Sequence, residues 1–185
     1  SLPTNGSDIS WISSGGGDFH SSGNWSPNAV PGFNDAALFD VAMSGDVTLS
    51  AGASPGRIEF GTDATSFSLG ALNGSSLTFS NGGDISILSN LVLSNQTFTI
   101  NAPLVLTPDS ATTPGSFTVR NDASSPTSVL SLAGNLSSGS TTGIETLTLR
   151  GANTGANTIG GVISNGGASA LSLTKADAGT WTLSG

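Results

Sequence analysis

Few side chains in this chain could do chemistry, and most of those are carboxylates. There are 12 Asp and Glu against 4 Lys and Arg, a single histidine and no cysteine. A Ser-His-Asp relay would have to use His20, with Asp18 or Asp35 as partner and one of many serines as nucleophile. No Gly-x-Ser-x-Gly elbow stands between a strand and a helix, so His20 reads as a loop or cap histidine. Paired carboxylates act as acid and base when they lie about 5 to 9.5 Å apart. Asp35, Asp40, Asp46, Glu59, Asp63 and Asp84 could meet in this way on stacked strands. None of them adjoins another in sequence, and no Arg or Lys cluster stands nearby to hold an acidic sugar. They read as turn formers and solubilising charges.

Calcium would be the cation to consider, since Asp, Asn and backbone oxygens bind it. Neither an EF-hand loop nor a Gly-Gly-x-Gly-x-Asp repeat is present, and no cofactor is expected. Asn5, Asn24, Asn73, Asn95 and Asn135 sit in Asn-x-Ser/Thr sequons, which arise readily in a chain so rich in Ser and Thr. Trp11, Trp25 and Trp181 could stack on sugars, but tryptophans set between turn formers read first as packing residues.

The composition narrows the field further. Charged residues are 9% of the 185, against about 25% in an ordinary globular protein. The net charge of −8 excludes nucleic acid and anionic membrane surfaces as partners, because no basic cluster exists to meet phosphates. No apolar run approaches the roughly 20 residues that span a bilayer. Disulfides and thiolate metal sites are excluded by the lack of cysteine. The 36% hydrophobic residues are regularly placed among Ser and Thr, which marks a folded chain and not a disordered one.

The elements that must position these side chains are short strands. Residues 1–45 hold Trp11, Trp25, His20 and Met43 among turn formers and read as an irregular, aromatic N-terminal cap. From 46 to 185 the texture becomes period-two alternation with Asn and Gly corners. The expected strands are 47–50, 57–60, 66–69, 77–79, 85–88, 91–93, 98–100, 104–106, 117–119, 129–132, 145–150, 159–163, 171–173 and 180–183. An antiparallel β-sandwich accommodates many short strands. A parallel β-helix, or β-solenoid, does so with about three strands per rung of roughly 20 to 30 residues. The tight spacing through Ile87-Leu88-Ser89-Asn90-Leu91-Val92-Leu93 favours rung corners over hairpins. Small residues and asparagines at the corners favour stacked rows with amide ladders. The expected fold is an all-β parallel β-helix, with the sandwich as alternative.

The last forty residues also carry a resemblance. The run from Ile159-Gly160-Gly161-Val162-Ile163-Ser164-Asn165-Gly166-Gly167 to Leu173-Thr174-Lys175 and Gly179-Thr180-Trp181-Thr182-Leu183-Ser184-Gly185 resembles the autotransporter-associated β-strand repeat of bacterial surface proteins. Leu147-Thr148-Leu149-Arg150-Gly151-Ala152-Asn153 is similar one unit earlier, and Gly23-Asn24-Trp25-Ser26 with Pro31, Asp35, Ala36 and Phe39 is similar to the opening of such proteins. The resemblance implies a right-handed parallel β-helix at a bacterial cell surface or beyond it. It also implies a processed or excised segment whose repeats usually continue. The expected role is structural and non-enzymatic: a filament or stalk subunit that self-associates head-to-tail through Trp181, Leu183, Trp11 and Trp25. An adhesin or carbohydrate-binding module with surface glycans as partners is the alternative, and a polysaccharide-acting enzyme the second.

Overall fold

The computed structural model describes residues 6–109, 114–141, 143–167 and 170–185. Among them the chain is all-β, with one turn of 3-10 helix at Ser22–Asn24. In chain order the strands are β1 (Asp8–Trp11), β2 (Gly17–Asp18), β3 (Trp25–Ser26), β4 (Ala36–Phe39), β5 (Val47–Thr48) and β6 (Arg57–Phe60). Then come β7 (Phe67–Leu69), β8 (Leu77–Ser80), β9 (Asp84–Ile87), β10 (Thr97–Ile100), β11 (Leu104–Thr107) and β12 (Gly115–Asn121). The remaining strands are β13 (Val129–Leu132), β14 (Leu136–Ser138), β15 (Ile144–Arg150), β16 (Asn157–Ile159), β17 (Ile163–Ser164), β18 (Ala170–Lys175) and β19 (Trp181–Leu183).

From β6 onward every strand pairs with the strand three places later. The first sheet runs β3-β1-β4-β6-β9-β12-β15-β18, the second β2-β5-β7-β10-β13-β16-β19, and the third β8-β11-β14-β17. All these pairings are parallel except β1 with β3. An antiparallel sandwich requires hairpin pairing throughout, so that alternative is set aside. The sheets also cross the boundary expected at residue 45. β4 pairs with β6, and β2 with β5, both in parallel. The N-terminal region is therefore part of the stack and not a separate cap, although its aromatic character is as expected.

Parallel pairing in strict register turns alternation into rows. Ile9, Ala37, Ile58, Ile85, Val119 and Leu149 occupy successive partner positions on the first sheet, and all are buried. Each larger side chain in such a row contributes about 1.5–3 kcal/mol by leaving water. The N-terminal half adds a column of rings. Trp11 and Trp25 meet edge-to-face at 4.9 Å, Trp25 lies 5.5 Å from Phe39, and Phe39, Phe60 and Phe98 stack at 5.9 and 4.4 Å. The buried indole of Trp25 donates to the Phe19 carbonyl at 2.7 Å.

Corners stack as tightly as strands. A Cβ on Gly134 would lie 2.2 Å from the Ala102 carbonyl oxygen, and one on Gly161 2.0 Å from that of Gly134. The backbones touch there, so only small residues fit. This is why the expected strand 159–163 is broken: Gly160 and Gly161 form the corner between β16 and β17, and both donate to Leu132 O. The expected strand 91–93 is also absent, the segment being irregular with Leu91 fully buried and Val92 exposed. Conversely, β14 was not legible: Leu136 is its only apolar residue, and its partners Leu104 and Ile163 hold it in place.

Two inward polar positions contrast. Asn157 is fully buried. It accepts from Asn121 Nδ2 at 2.6 Å and from the Leu130 N–H at 3.0 Å, and donates to Asn153 Oδ1, Gly155 O and Thr180 O. Asn121 and Asn153 complete a satisfied amide network that ties three successive corners. Glu145 is as deeply buried, in register between Gly115 and Leu171, yet both its carboxylate oxygens lack a hydrogen-bond partner. A satisfied network is stabilising, whereas an unpaired buried carboxylate is costly. Asn157→Ala is therefore expected to cost about 2–4 kcal/mol and Glu145→Leu to add about 1–3 kcal/mol in urea denaturation. Equal losses from both would show that the two sites do not differ in this way.

Candidate functional site

The catalytic arrangement with His20 meets only part of its geometry. His20 Nδ1 faces Asp18 Oδ1 at 3.5 Å and also Ser50 Oγ at 3.5 Å, while Nε2 lies 3.2 Å from the Gly52 carbonyl. In a relay the carboxylate and the nucleophile must use opposite ring nitrogens. Here they share one, and the other is taken by backbone. Asp18 is held below the usual carboxylate range, first by the Ser50 side chain and further by backbone N–H groups of Ser50 and His20. Asp35 is elsewhere, accepting from the Ser7 and Gly32 N–H groups.

The remaining carboxylates divide in two. Asp40 accepts from the Asp63 N–H and Asp46 from the Ser68 N–H, each bridging one circuit to the next. Among the described residues no group of three His, Asp or Glu side chains converges as a metal site would need. Of the sequon asparagines, Asn73, Asn95 and Asn135 are exposed and Asn24 half-buried, while Asn5 lies outside the described residues.

The tryptophans expected at an assembly surface separate as well. Trp11 and Trp25 are 2% and 1% exposed, sealed in the ring cluster, and cannot meet a partner without unfolding that end. The antiparallel β3 also covers the free edge of β1. At the opposite end β17, β18 and β19 are the last strands of their sheets. Leu183 is half exposed, Leu173 is exposed, and Leu171 and Trp181 are partly covered. Trp181 Nε1 donates to Arg150 O at 3.2 Å.

Sequence reasoning missed a third feature. On the outer face of the first sheet two rows run side by side. One holds Arg57, Asp84, Thr118 and Thr148, and the other Glu59, Ser86, Arg120 and Arg150. Three of the chain's four basic residues thus converge where no basic cluster exists in the sequence. Between the larger side chains of β6 and β12, the small Asp84 and Ser86 of β9 leave a hollow of about 330 Å³. Arg57, Glu59, Asp84, Thr118, Arg120 and Arg150 line it. Arg57 pairs with Glu59 at 3.1 Å and Asp8 at 3.3 Å; Arg120 lies 3.8 Å from Asp84 and 3.3 Å from Asp122. Arg150 pairs with Asp177 at 3.0 Å. The only advance signal was opposite charges recurring about one rung apart, which becomes contact only once the register is known.

Asp84 is the group most altered by this setting. Burial pushes its carboxyl up to about 6, against the pull of the Arg120 guanidinium and of the Ser86 hydroxyl and with a smaller push from the Glu59 charge. Its Oδ1 and Arg120 Nε are buried without partners in hydrogen-bonding geometry.

No protein-family model matches the chain, and no curated protein or solved structure is found to be similar to it.

A raised carboxyl reverses the usual linkage. Between its unfolded value of 3.8 and about 6 the folded state binds the extra proton, so the contribution of Asp84 to stability falls as pH rises. Asp84→Asn removes this dependence. The stability of the variant relative to the parent is expected to grow by on the order of 2–3 kcal/mol from pH 4 to pH 7.5 in guanidinium titrations. A difference independent of pH would mean that Asp84 is not perturbed.

Proposed function

We propose that the chain is a right-handed parallel β-helix serving as a non-enzymatic structural segment of an extracellular bacterial surface protein, of the kind its repeats resemble. The observation that carries this reading is the contrast between the two ends of the stack. At one end an antiparallel strand and buried tryptophans close the first sheet. At the other, β17, β18 and β19 are the last strands of their sheets, with Leu173 and Leu183 exposed and Leu171 and Trp181 partly covered. Open β-edges of this kind invite further strands.

The composition supports an exported rod. Rigidity comes from stacked backbone at about 4.8 Å per circuit and from small side chains, with little need for charge or disulfides. Head-to-tail joining of whole copies through Trp11 and Trp25 loses its support, because both rings are buried. Self-association is reassigned to the open edges alone, and a contact of one patch with itself closes at two copies.

Sedimentation velocity from micromolar to submillimolar concentration tests this. The expected result is a reversible monomer–dimer equilibrium, weakened at least tenfold by Thr182→Pro, which blocks β19, and by Leu173→Lys on β18. A continuous series of larger species would restore the filament, and a monomer at every concentration would remove the edge as an assembly surface.

A further inference from the structure

We propose that the hollow on the outer face of the first sheet is a binding site for a carboxylated saccharide, engaged by Arg120 and Arg150 with Asp84 in its lining. This goes beyond a structural role and does not depend on it: a rod can present such a site whether or not its open edges pair.

Four observations converge on this ligand. The first is charge. In a chain of net charge −8 with 4 Lys and Arg, three guanidiniums stand around one hollow, the only place among the described residues where basic side chains gather in this number. Each guanidinium has five N–H donors, and the pairs formed with Glu59, Asp8, Asp84, Asp122 and Asp177 leave donors on every one of them.

The second is unmet polarity. Asp84, 8% exposed and lining the hollow, has Oδ1 without a partner of hydrogen-bonding geometry, and Arg120 Nε beside it also lacks one. Arg120 Nε faces Asp122 Oδ2 at 3.3 Å but outside hydrogen-bonding geometry. Buried polar atoms left in this state are costly. The pair comprises an acceptor and a donor, which vicinal sugar hydroxyls can satisfy together. A simple anion would meet the donors and repel the carboxylate.

The third is shape. The volume of about 330 Å³ is at the lower end of small-molecule sites. The fourth is what the lining excludes. Three guanidiniums repel a metal cation, and the interleaved Glu59 and Asp84 oppose a nucleic-acid backbone. No aromatic ring lines the hollow, so recognition rests on charge and hydroxyl contacts and not on tryptophan stacking.

Isothermal titration calorimetry with a uronic-acid tetrasaccharide, its neutral hexose counterpart and inorganic phosphate tests the proposal. The charged saccharide is expected to bind at least tenfold more tightly than either of the others. Arg150→Gln, whose side chain is half exposed and pairs at the surface, is expected to weaken binding about tenfold or more with an unchanged melting temperature. Arg120→Gln should weaken it further. If Arg120→Gln fails to fold, Arg150→Gln alone decides.

A second readout is pH. Asp84 faces Arg57 and Glu59 from β6 and Arg120 from β12; Arg150 from β15 lines the same hollow, and Asp8 and Asp122 lie behind the arginines. Protonating Asp84 removes a negative charge beside the bound carboxylate. Affinity is therefore expected to rise severalfold from pH 7.5 to pH 5, and Asp84→Asn to flatten that profile. Equal binding of charged and neutral saccharides, phosphate binding as tightly as the tetrasaccharide, full binding by Arg150→Gln or no heat at 10 mM ligand would each overturn the assignment.

Discussion

A strand of three or four residues holds its shape in this protein only because its backbone is bonded to strands one circuit before and one circuit after it. Isolated segments this short cannot hold themselves in an extended conformation against the entropy of the free chain. Parallel neighbours supply hydrogen bonds on both edges, and the register they impose determines which side chains meet. The row from Ile9 to Leu149, the stacked phenylalanines and the glycine corners follow from that one constraint. A slip of one residue would turn every apolar side chain outward.

The same register acts on the outer surface, with the opposite chemistry. It brings Arg57, Asp84, Arg120 and Arg150 together although the chain separates them widely, and it forces Asp84 beneath its neighbours, where burial raises its carboxyl to about 6. It also explains why the amide network at Asn121, Asn153 and Asn157 is satisfied. Asn153 and Asn157 reach backbone carbonyls of adjoining circuits, and Asn121 bonds the Ser128 carbonyl of its own corner and the Asn157 amide of the next circuit. Glu145 finds no such partner, which makes it the exception within the core.

The sequence made the texture of the fold legible. Arg57–Phe60 and Val129–Leu132 are strands with the expected bounds, because their alternation is clean and their flanks are turn formers. What it concealed was anything decided by a neighbour one circuit away. Ala36–Phe39 looked like cap loop and is an interior strand of the first sheet, since the small Ala37 fits between Ile9 and Ile58. Gly160 and Gly161 looked like strand and are a corner, because the backbone of Gly134 lies against Gly161. The charged hollow was invisible for the same reason: no local spacing marks Arg120 and Arg150 as neighbours. Trp11 and Trp25, expected at an assembly surface, are instead buried, as their setting among turn formers also allowed.

Everything rests on the claim that strands one circuit apart pair in parallel and in register along the whole stack. Ser68, Thr99, Ser131, Thr158 and Thr182 form one such row on the outer face of the second sheet. Cysteines at Ser68 and Thr182 would be the only two in the chain. Spin labels on them, measured by pulsed dipolar spectroscopy, should report a backbone separation of about 19 Å, four steps of about 4.8 Å. A separation beyond about 30 Å, as strands at opposite ends of an antiparallel sandwich would give, would contradict the stacked register and everything drawn from it.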